Sequence, residues 1–239
     1  MDLGIHGNTA LVTASSSGMG LGCARSLSLE GANVVICGRD SDRLTRAKES
    51  LEAEAKGDIL AIQTDLTNPE DIQNLLDKTA KEFGQLDHIV TSAGQPIDGP
   101  FNSLNVDNWY GAYDTFTMSV VRTLQAAHPL LSSSDVGSVV LITATAVKET
   151  NPNMAMSSSV RKSLIGLMKV LSFEWAPIRV NAILPGSHDT PLMTKHAQNS
   201  VDAGKYTSLP EALLGWADNP LNRIGTPQEI GDVDKFMHM

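Results

Sequence analysis

Cysteine is scarce: Cys23 and Cys37 are the only two in 239 residues. Neither belongs to a Cys-x-x-Cys pair or a Cys/His cluster. A disulfide framework and a cysteine-held metal are therefore excluded, and no metal site is expected. Both read as buried, reduced thiols of a cytoplasmic protein. Long apolar runs are missing too, and none approaches the roughly 20 residues that span a bilayer. The opening Met1-Asp2-Leu3-Gly4-Ile5-His6 has no basic region leading into an apolar stretch, so neither secretion nor membrane insertion is expected. Basic residues are outnumbered, 18 Lys and Arg against 27 Asp and Glu, for a net charge of −9. A binder that tracks nucleic-acid phosphates needs the opposite balance. No nucleic-acid or membrane partner is expected.

What is present suits one globular domain over residues 1–239: 41% apolar residues, 19% charged, and a length whose core needs no staple. β-rich runs at Thr9–Thr13, Asn33–Cys37, Ile59–Thr64, His88–Thr91, Ser138–Thr143 and Ile178–Leu184 alternate with helical spacing. The helical stretches are Met19–Leu29, Asp42–Ala55, Glu70–Phe83, Asp107–Leu131 and Ser158–Trp175. Strands such as Ser138-Val139-Val140-Leu141-Ile142 are apolar on consecutive positions, as in a parallel sheet covered on both faces. Repeated βα units predict an α/β fold, a doubly wound parallel sheet flanked by helices with right-handed crossovers. Asn68-Pro69 reads as a helix cap and first turn, with Gly57 and Gly84 at helix ends. Residues 186–222 follow a strand end without strand signals of their own and read as a substrate loop or lid.

The first strand runs into Thr13-Ala14-Ser15-Ser16-Ser17-Gly18-Met19-Gly20 and then a helix. Small residues let backbone approach a pyrophosphate, and the helix start offers amide donors and positive dipole. Thr13, Ser15, Ser17, Gly18, Met19 and Gly20 are the candidate phosphate-loop residues. About 20 residues beyond such a turn, an acid grips a ribose 2′-OH whereas an arginine accepts a 2′-phosphate. Here Gly38 is followed by Arg39, which favours NADP with NAD as the other option, and Asp40 stands close enough to oppose it.

These residues resemble the short-chain dehydrogenase/reductase family, 3-oxoacyl carrier-protein reductases in particular, and the resemblance covers nearly the whole chain. Thr13–Gly20 is similar to its TGxxxGxG loop, with Ala14 for the first glycine. Asp65-Leu66 stands where the family places an acid near adenine, and Ser92-Ala93-Gly94 resembles NAG. Arg179-Val180-Asn181-Ala182-Ile183-Leu184-Pro185-Gly186 resembles RVNAxxPG, and Thr190 matches the threonine that contacts the nicotinamide carboxamide. The resemblance implies a Rossmann-type fold, with cofactor contacts at Asp65, Leu66, Ser92, Ala93, Gly94, Pro185, Gly186 and Thr190.

The family's chemistry uses an Asn, a Ser, and a Tyr and Lys spaced YxxxK. Leu164-Ile165-Gly166-Leu167 and Pro152 set a register that puts these positions on Phe116, Ala144, Ser157 and Arg161. All four depart from the pattern. A free tyrosine titrates near 10, and bringing it to working pH takes roughly three units, or about 4 kcal/mol. A serine starts far higher. Arg161 keeps a positive charge one helical turn from Ser157, fit to hold a ribose or an anionic substrate, but it is a poor acid. Ser157, Arg161, Thr143 and Thr145 are the candidate catalytic residues. Shifting by one pairs Ser158 with Lys162, still without tyrosine. Tyr110, Tyr113 and His188 offer further substitutes, though packing for the tyrosines and a solvated loop for His188 are the simpler expectations.

Family members usually continue into a seventh strand, and nothing here follows Met239, so the sheet is expected to lack its last C-terminal strand. The resemblance implies an NAD(P)(H)-dependent oxidoreductase acting on a small carbonyl or alcohol, keto-acyl by default, with slow or unusual turnover. The alternative is a non-catalytic dinucleotide-binding sensor or partner subunit. A homo-oligomer, dimer or tetramer, is expected, with the two long helices pairing across a two-fold axis.

Overall fold

A computed structural model describes residues 2–94, 97–217 and 219–239. β1 (Thr9–Val12) leads into α1 (Gly18–Leu29), β2 (Asn33–Gly38) into α2 (Ser41–Glu52), and β3 (Ile59–Gln63) into α3 (Pro69–Phe83). β4 (His88–Thr91) is followed by α4 (Val106–Ala112), a π turn over Tyr113–Met118, and α5 (Ser119–Leu131). β5 (Ser138–Ile142) leads into α6 (Ala155–Glu174). After β6 (Arg179–Ile183) come α7 (Pro191–Asp202), α8 (Leu209–Leu214) and α9 (Pro227–Met237).

The strands form one parallel 6-stranded sheet in the order β3-β2-β1-β4-β5-β6. Each strand end matches its expected run to within about a residue, because consecutive apolar residues are what a sheet buried on both faces demands. Leu11, Val35, Ile89, Val139 and Leu141 pack on one face, against α3, α5 and α6; Val12, Val34, Ile36, Val90 and Val140 pack on the other, against α1 and α2. Strand order reverses between β1 and β4, so the crevice at their carboxyl ends is where an open sheet takes its ligand. No helix among the described residues is long and apolar enough to cross a membrane.

Helix punctuation follows the expected signals where the cap is local. Asn68 accepts from the Glu70 amide ahead of Pro69, and Gly84 closes α3 at φ +71°. The helix expected over Asp107–Leu131 is present as one continuous helical run: α4, a π turn that contains Phe116, and α5. Two expectations are corrected. The helix expected from Ser158 begins at Ala155, because the Asp98 carboxylate accepts from the Met156 and Ser157 amides at 3.0 and 3.1 Å. Tyr110 and Tyr113 are not packing residues: they are 72% and 42% exposed on the outer face of the α4 run. Both cysteines are buried and free, and burial pushes the Cys37 thiol up to about 12.

Candidate functional site

Thr13, one residue beyond β1, joins the two strands that flank the crevice. Its hydroxyl donates to the Ser92 carbonyl at 2.8 Å and accepts from the Ser92 amide at 2.9 Å. The turn that follows is held from beneath. Ser15 is buried, donates to the Val12 carbonyl at 2.6 Å and accepts from the Cys37 amide at 3.0 Å, so its hydroxyl shapes the loop. Ala14 adopts φ +47°, the left-handed region that favours glycine, and an alanine there stores about 1–2 kcal/mol. Gly20 has no room for a side chain, since a Cβ would lie 2.8 Å from the Ala14 carbonyl oxygen. Gly18 takes φ +59° and faces Thr190, whose Cγ2 would stand 3.3 Å from a Cβ at Gly18. Phosphate loop and post-β6 segment thus meet across the crevice.

α1 opens at Ser17, Gly18 and Met19 with no side-chain cap. By contrast α2, α3, α4, α7, α8 and α9 each begin on a capping side chain. The first-turn amides of α1 have no side-chain cap, and amides so placed in a small-residue turn are the kind of donor an anion takes.

Beyond β2, exposed Arg39 lines a cavity of about 380 Å³ with Gln63, Thr64, Asp65 and Asp71. Asp40 does not bind Arg39. Its carboxylate caps α2, accepting from the Arg43 amide at 2.9 Å and the Arg43 guanidinium at 3.3 Å, and the amide bond above all holds it below the usual carboxylate range. Asp65 accepts from the Thr67 amide and hydroxyl at 2.9 and 2.7 Å, which with the nearby Arg39 charge lowers its pKa. Leu66 packs against the core.

The β4–β6 side is built differently. Arg161 on α6 donates to the Gly94 carbonyl at 3.0 Å and to the Thr143 carbonyl at 3.5 Å, bridging the ends of β4 and β5. Its guanidinium carbon lies 4.7 Å from the centre of the buried Phe116 ring, a cation–π contact, while its Nε is buried without a partner. Burial lowers its pKa to about 10 against the raising effect of Asp98, so it stays charged at neutral pH. Ser157 is buried beneath, its amide held by Asp98. Thr143 is buried and donates to the Ile183 carbonyl at 3.2 Å, whereas Thr145 is exposed, its amide bound to the Pro185 carbonyl. Ala144 contributes no polar atom. Ala93 packs beside the Phe116 cluster. His188 lies on Gly225, its Nδ1 3.0 Å from the Gly186 carbonyl oxygen, and is only half-exposed.

Asp98 was not singled out from sequence. A lone acid in a Gly/Pro-rich loop carries no periodic signal, and it serves a helix 58 residues away.

Residues 8–200 match the model of the short chain dehydrogenase family. The chain belongs to that family. Among relatives of this short-chain dehydrogenase, a tropinone reductase-like 3 from Erythroxylum coca is 30% identical over 237 residues, 97% of this chain and 86% of the other. L-sorbose reductase from Gluconobacter frateurii, solved with NADPH and L-sorbose, superposes with a TM-score of 0.93 at 27% identity, covering 99% of this chain and 91% of that one. An actinorhodin polyketide ketoreductase with NADPH gives 0.87 at 28% identity, covering 97% and 90%. The doubly wound, Rossmann-type sheet expected from sequence is therefore the sheet of this family.

Proposed function

We propose that this short-chain dehydrogenase binds NADP(H) along the carboxyl rim and acts as an oxidoreductase on a small carbonyl or alcohol substrate. The observation that carries the reading is the uncapped start of α1, closed from above by Thr190, with Arg39 making no side-chain bond among the described residues. The residues fit the cofactor. Thr13, Ser17, Gly18, Met19 and Gly20 would cradle the pyrophosphate, Arg39 the 2′-phosphate, and Asp65 and Leu66 the adenine edge. Ser92, Ala93, Gly94, Pro185, Gly186 and Thr190 would flank the other half. Bound there, NADP(H) supplies or accepts the hydride. Arg161 orients the floor between β4 and β5 and keeps a positive charge by the reacting region. Among the described residues no side chain in that region is a proton donor of tyrosine's strength, so protons pass to or from solvent and turnover is slow. Sugar and keto-acyl carbonyls are the substrate classes to try first, since the similar structures include a sorbose reductase and a polyketide ketoreductase. Residues 186–222, of which Asp218 lies outside the described residues, act as the lid. Exposed Val170 and Phe173 on α6 and Tyr110 on α4 support pairing of two copies through these helices.

A second reading, a dinucleotide-binding sensor without turnover, is favoured by the Arg161–Phe116 stack at the positions of the family's Lys and Asn. Fluorescence titration and a substrate panel separate the two. NADPH should bind about tenfold tighter than NADH, a difference of about 1.4 kcal/mol, and Arg39→Ala should erase that preference. Binding with no turnover across the panel leaves the sensor. No response to either nucleotide ends both readings.

A further inference from the structure

The amino-terminal side of the sheet, opposite the crevice, holds a buried polar chain. Asn8 Nδ2 lies 2.9 Å from His88 Nε2, and His88 Nδ1 2.8 Å from Ser138 Oγ. Ser138 Oγ lies 2.6 Å from His238 Nδ1, and His238 Nε2 3.5 Å from Asp234 Oδ1. His88, Ser138, His238 and Asp234 are all buried.

The directions can be assigned. Asn8 Nδ2 also donates to the Gly4 carbonyl at 3.4 Å, so it is the amide nitrogen and His88 Nε2 must accept. His88 then carries its proton on Nδ1 and donates to Ser138, whose hydroxyl donates to His238 Nδ1. His238 carries a proton on Nε2, which faces the Asp234 carboxylate. Burial keeps the His88 imidazole neutral, as this assignment requires. Every donor runs one way, from the loop before β1 through β4 and β5 to α9.

Neither Asp234 oxygen has a hydrogen-bond partner of normal geometry among the described residues; the carboxylate faces His238 Nε2 at 3.5 Å and the Cys23 thiol. Asp234 faces His238 and the Cys23 thiol of α1, while His238 and Arg179 of β6, which donates to the Met237 carbonyl at 2.8 Å, lie within electrostatic reach of His88 on β4. Asp234 therefore touches α1 directly, and the contact helps raise the Cys23 thiol after burial itself. The two helices cross glycine on glycine: a Cβ on Gly231 would run into the Gly22 carbonyl, and one on Gly22 into that of Pro227. Gln228 and Asp232 reach Ser26 of α1, and Lys235 pairs with Glu30 at 2.8 Å.

We propose that His238 and Asp234 are positioning residues for dinucleotide binding: the buried chain fixes α9 to the sheet, and α9 holds α1 and its phosphate-binding start in place. This rests on the reading of α1 as the pyrophosphate helix. Removing the His238 ring takes away the polar group that faces the buried Asp234 carboxylate and the link from Ser138, which loosens α9; replacing both His238 and Asp234 by apolar residues removes the need for that contact.

The test compares NADPH with adenosine 2′-monophosphate, which lacks a pyrophosphate and would engage only the Arg39 side. In His238→Leu, the NADPH dissociation constant should rise tenfold or more while that of adenosine 2′-monophosphate stays within twofold. Asp234→Val/His238→Leu should recover NADPH binding to within threefold. Equal weakening of both ligands, unchanged NADPH binding, or no recovery in the double variant overturns the proposal. Should His238→Leu not fold, Ser138→Ala breaks the chain with less disturbance and should show the same ligand split. Hydrogen exchange on ligand-free Ser138→Ala decides independently of any cofactor. Lost protection in α9 together with the first turn of α1 supports the positioning role, and unchanged protection in α1 overturns it. If the wild-type chain binds neither nucleotide, the reading of α1 fails, and with it the proposed role; the exchange result then reports only on helix packing.

Discussion

The two halves of the carboxyl rim are built on different principles. Over β1–β3 the candidate contacts are mostly backbone: a left-handed Gly18, a crowded Gly20, an uncapped α1, and one arginine at the margin. Over β4–β6 they are side chains, and Phe116, Ala144, Ser157 and Arg161 stand at the places where the family's acid–base residues are expected. Backbone sites are set by the fold and survive wide substitution, because amide donors are the same in every residue. A proton-transfer site survives only if particular functional groups do. On the proposed function the first half would keep its task, while the second carries a guanidinium stacked on a ring, a contact worth about 0.5–2 kcal/mol.

The largest test of that contrast restores the second half. Phe116→Asn, Ala144→Ser, Ser157→Tyr and Arg161→Lys together should raise NADPH-linked carbonyl reduction by about 10²–10⁴, the usual range for a positioned acid. NADPH affinity, measured alongside, should change by less than threefold and report that the variant is folded. A restored quartet with no gain would place the defect in the first half instead.

Both halves stand on the scaffold beneath, which contributes its own pH dependence. Burial above all, then His238 and Arg179, holds the His88 pKa down to about 3 from the ordinary 6.5 of a histidine. Between those values the unfolded chain takes up a proton that the fold refuses, so stability falls as pH drops through this window. Denaturant unfolding at pH 7.5 and 4.5 should differ by about 2–3 kcal/mol from this group alone. His88→Gln should remove that part of the difference. The NADPH-to-NADH preference, governed at the opposite edge, should be the same at pH 7.5 and 8.5, where the 2′-phosphate stays dianionic.

How much of this was legible in sequence follows the same division. Strand positions, their order as βα units, the Asn68-Pro69 helix start and the loop at Thr13–Gly20 depend on local patterns, and local patterns are what a sequence displays. The register from Leu164–Leu167 put Arg161 at the position of the family's Lys, and in the structure its guanidinium reaches the Gly94 and Thr143 carbonyls. Its partners were not visible, because Gly94, Phe116 and Thr143 come from three other segments and meet only once the sheet is assembled. The Asp98 cap of α6 escaped for the same reason. Asp40 shows the converse error: proximity in sequence suggested a partner for Arg39, but the capping geometry of α2 claims the carboxylate first.

Two smaller effects sharpen the contrast. Gly20→Val would drive a branched side chain into the Ala14 carbonyl and the Ser15 backbone, and should weaken NADPH about 30-fold, or about 2 kcal/mol, while leaving the β4–β6 side intact. An unchanged affinity would mean the dinucleotide does not use this turn. Ser157→Ala is the smallest. Ser157 is buried, its amide is taken by Asp98, and the neighbouring guanidinium spends its hydrogen bonds on Gly94 and Thr143. A lone serine so placed has no group to bring its hydroxyl near working pH, so turnover should stay within twofold of wild type. A tenfold fall in kcat with unchanged NADPH affinity would make Ser157 the proton donor, and the second half of the rim would then be a working acid–base site of a different kind rather than a rebuilt one.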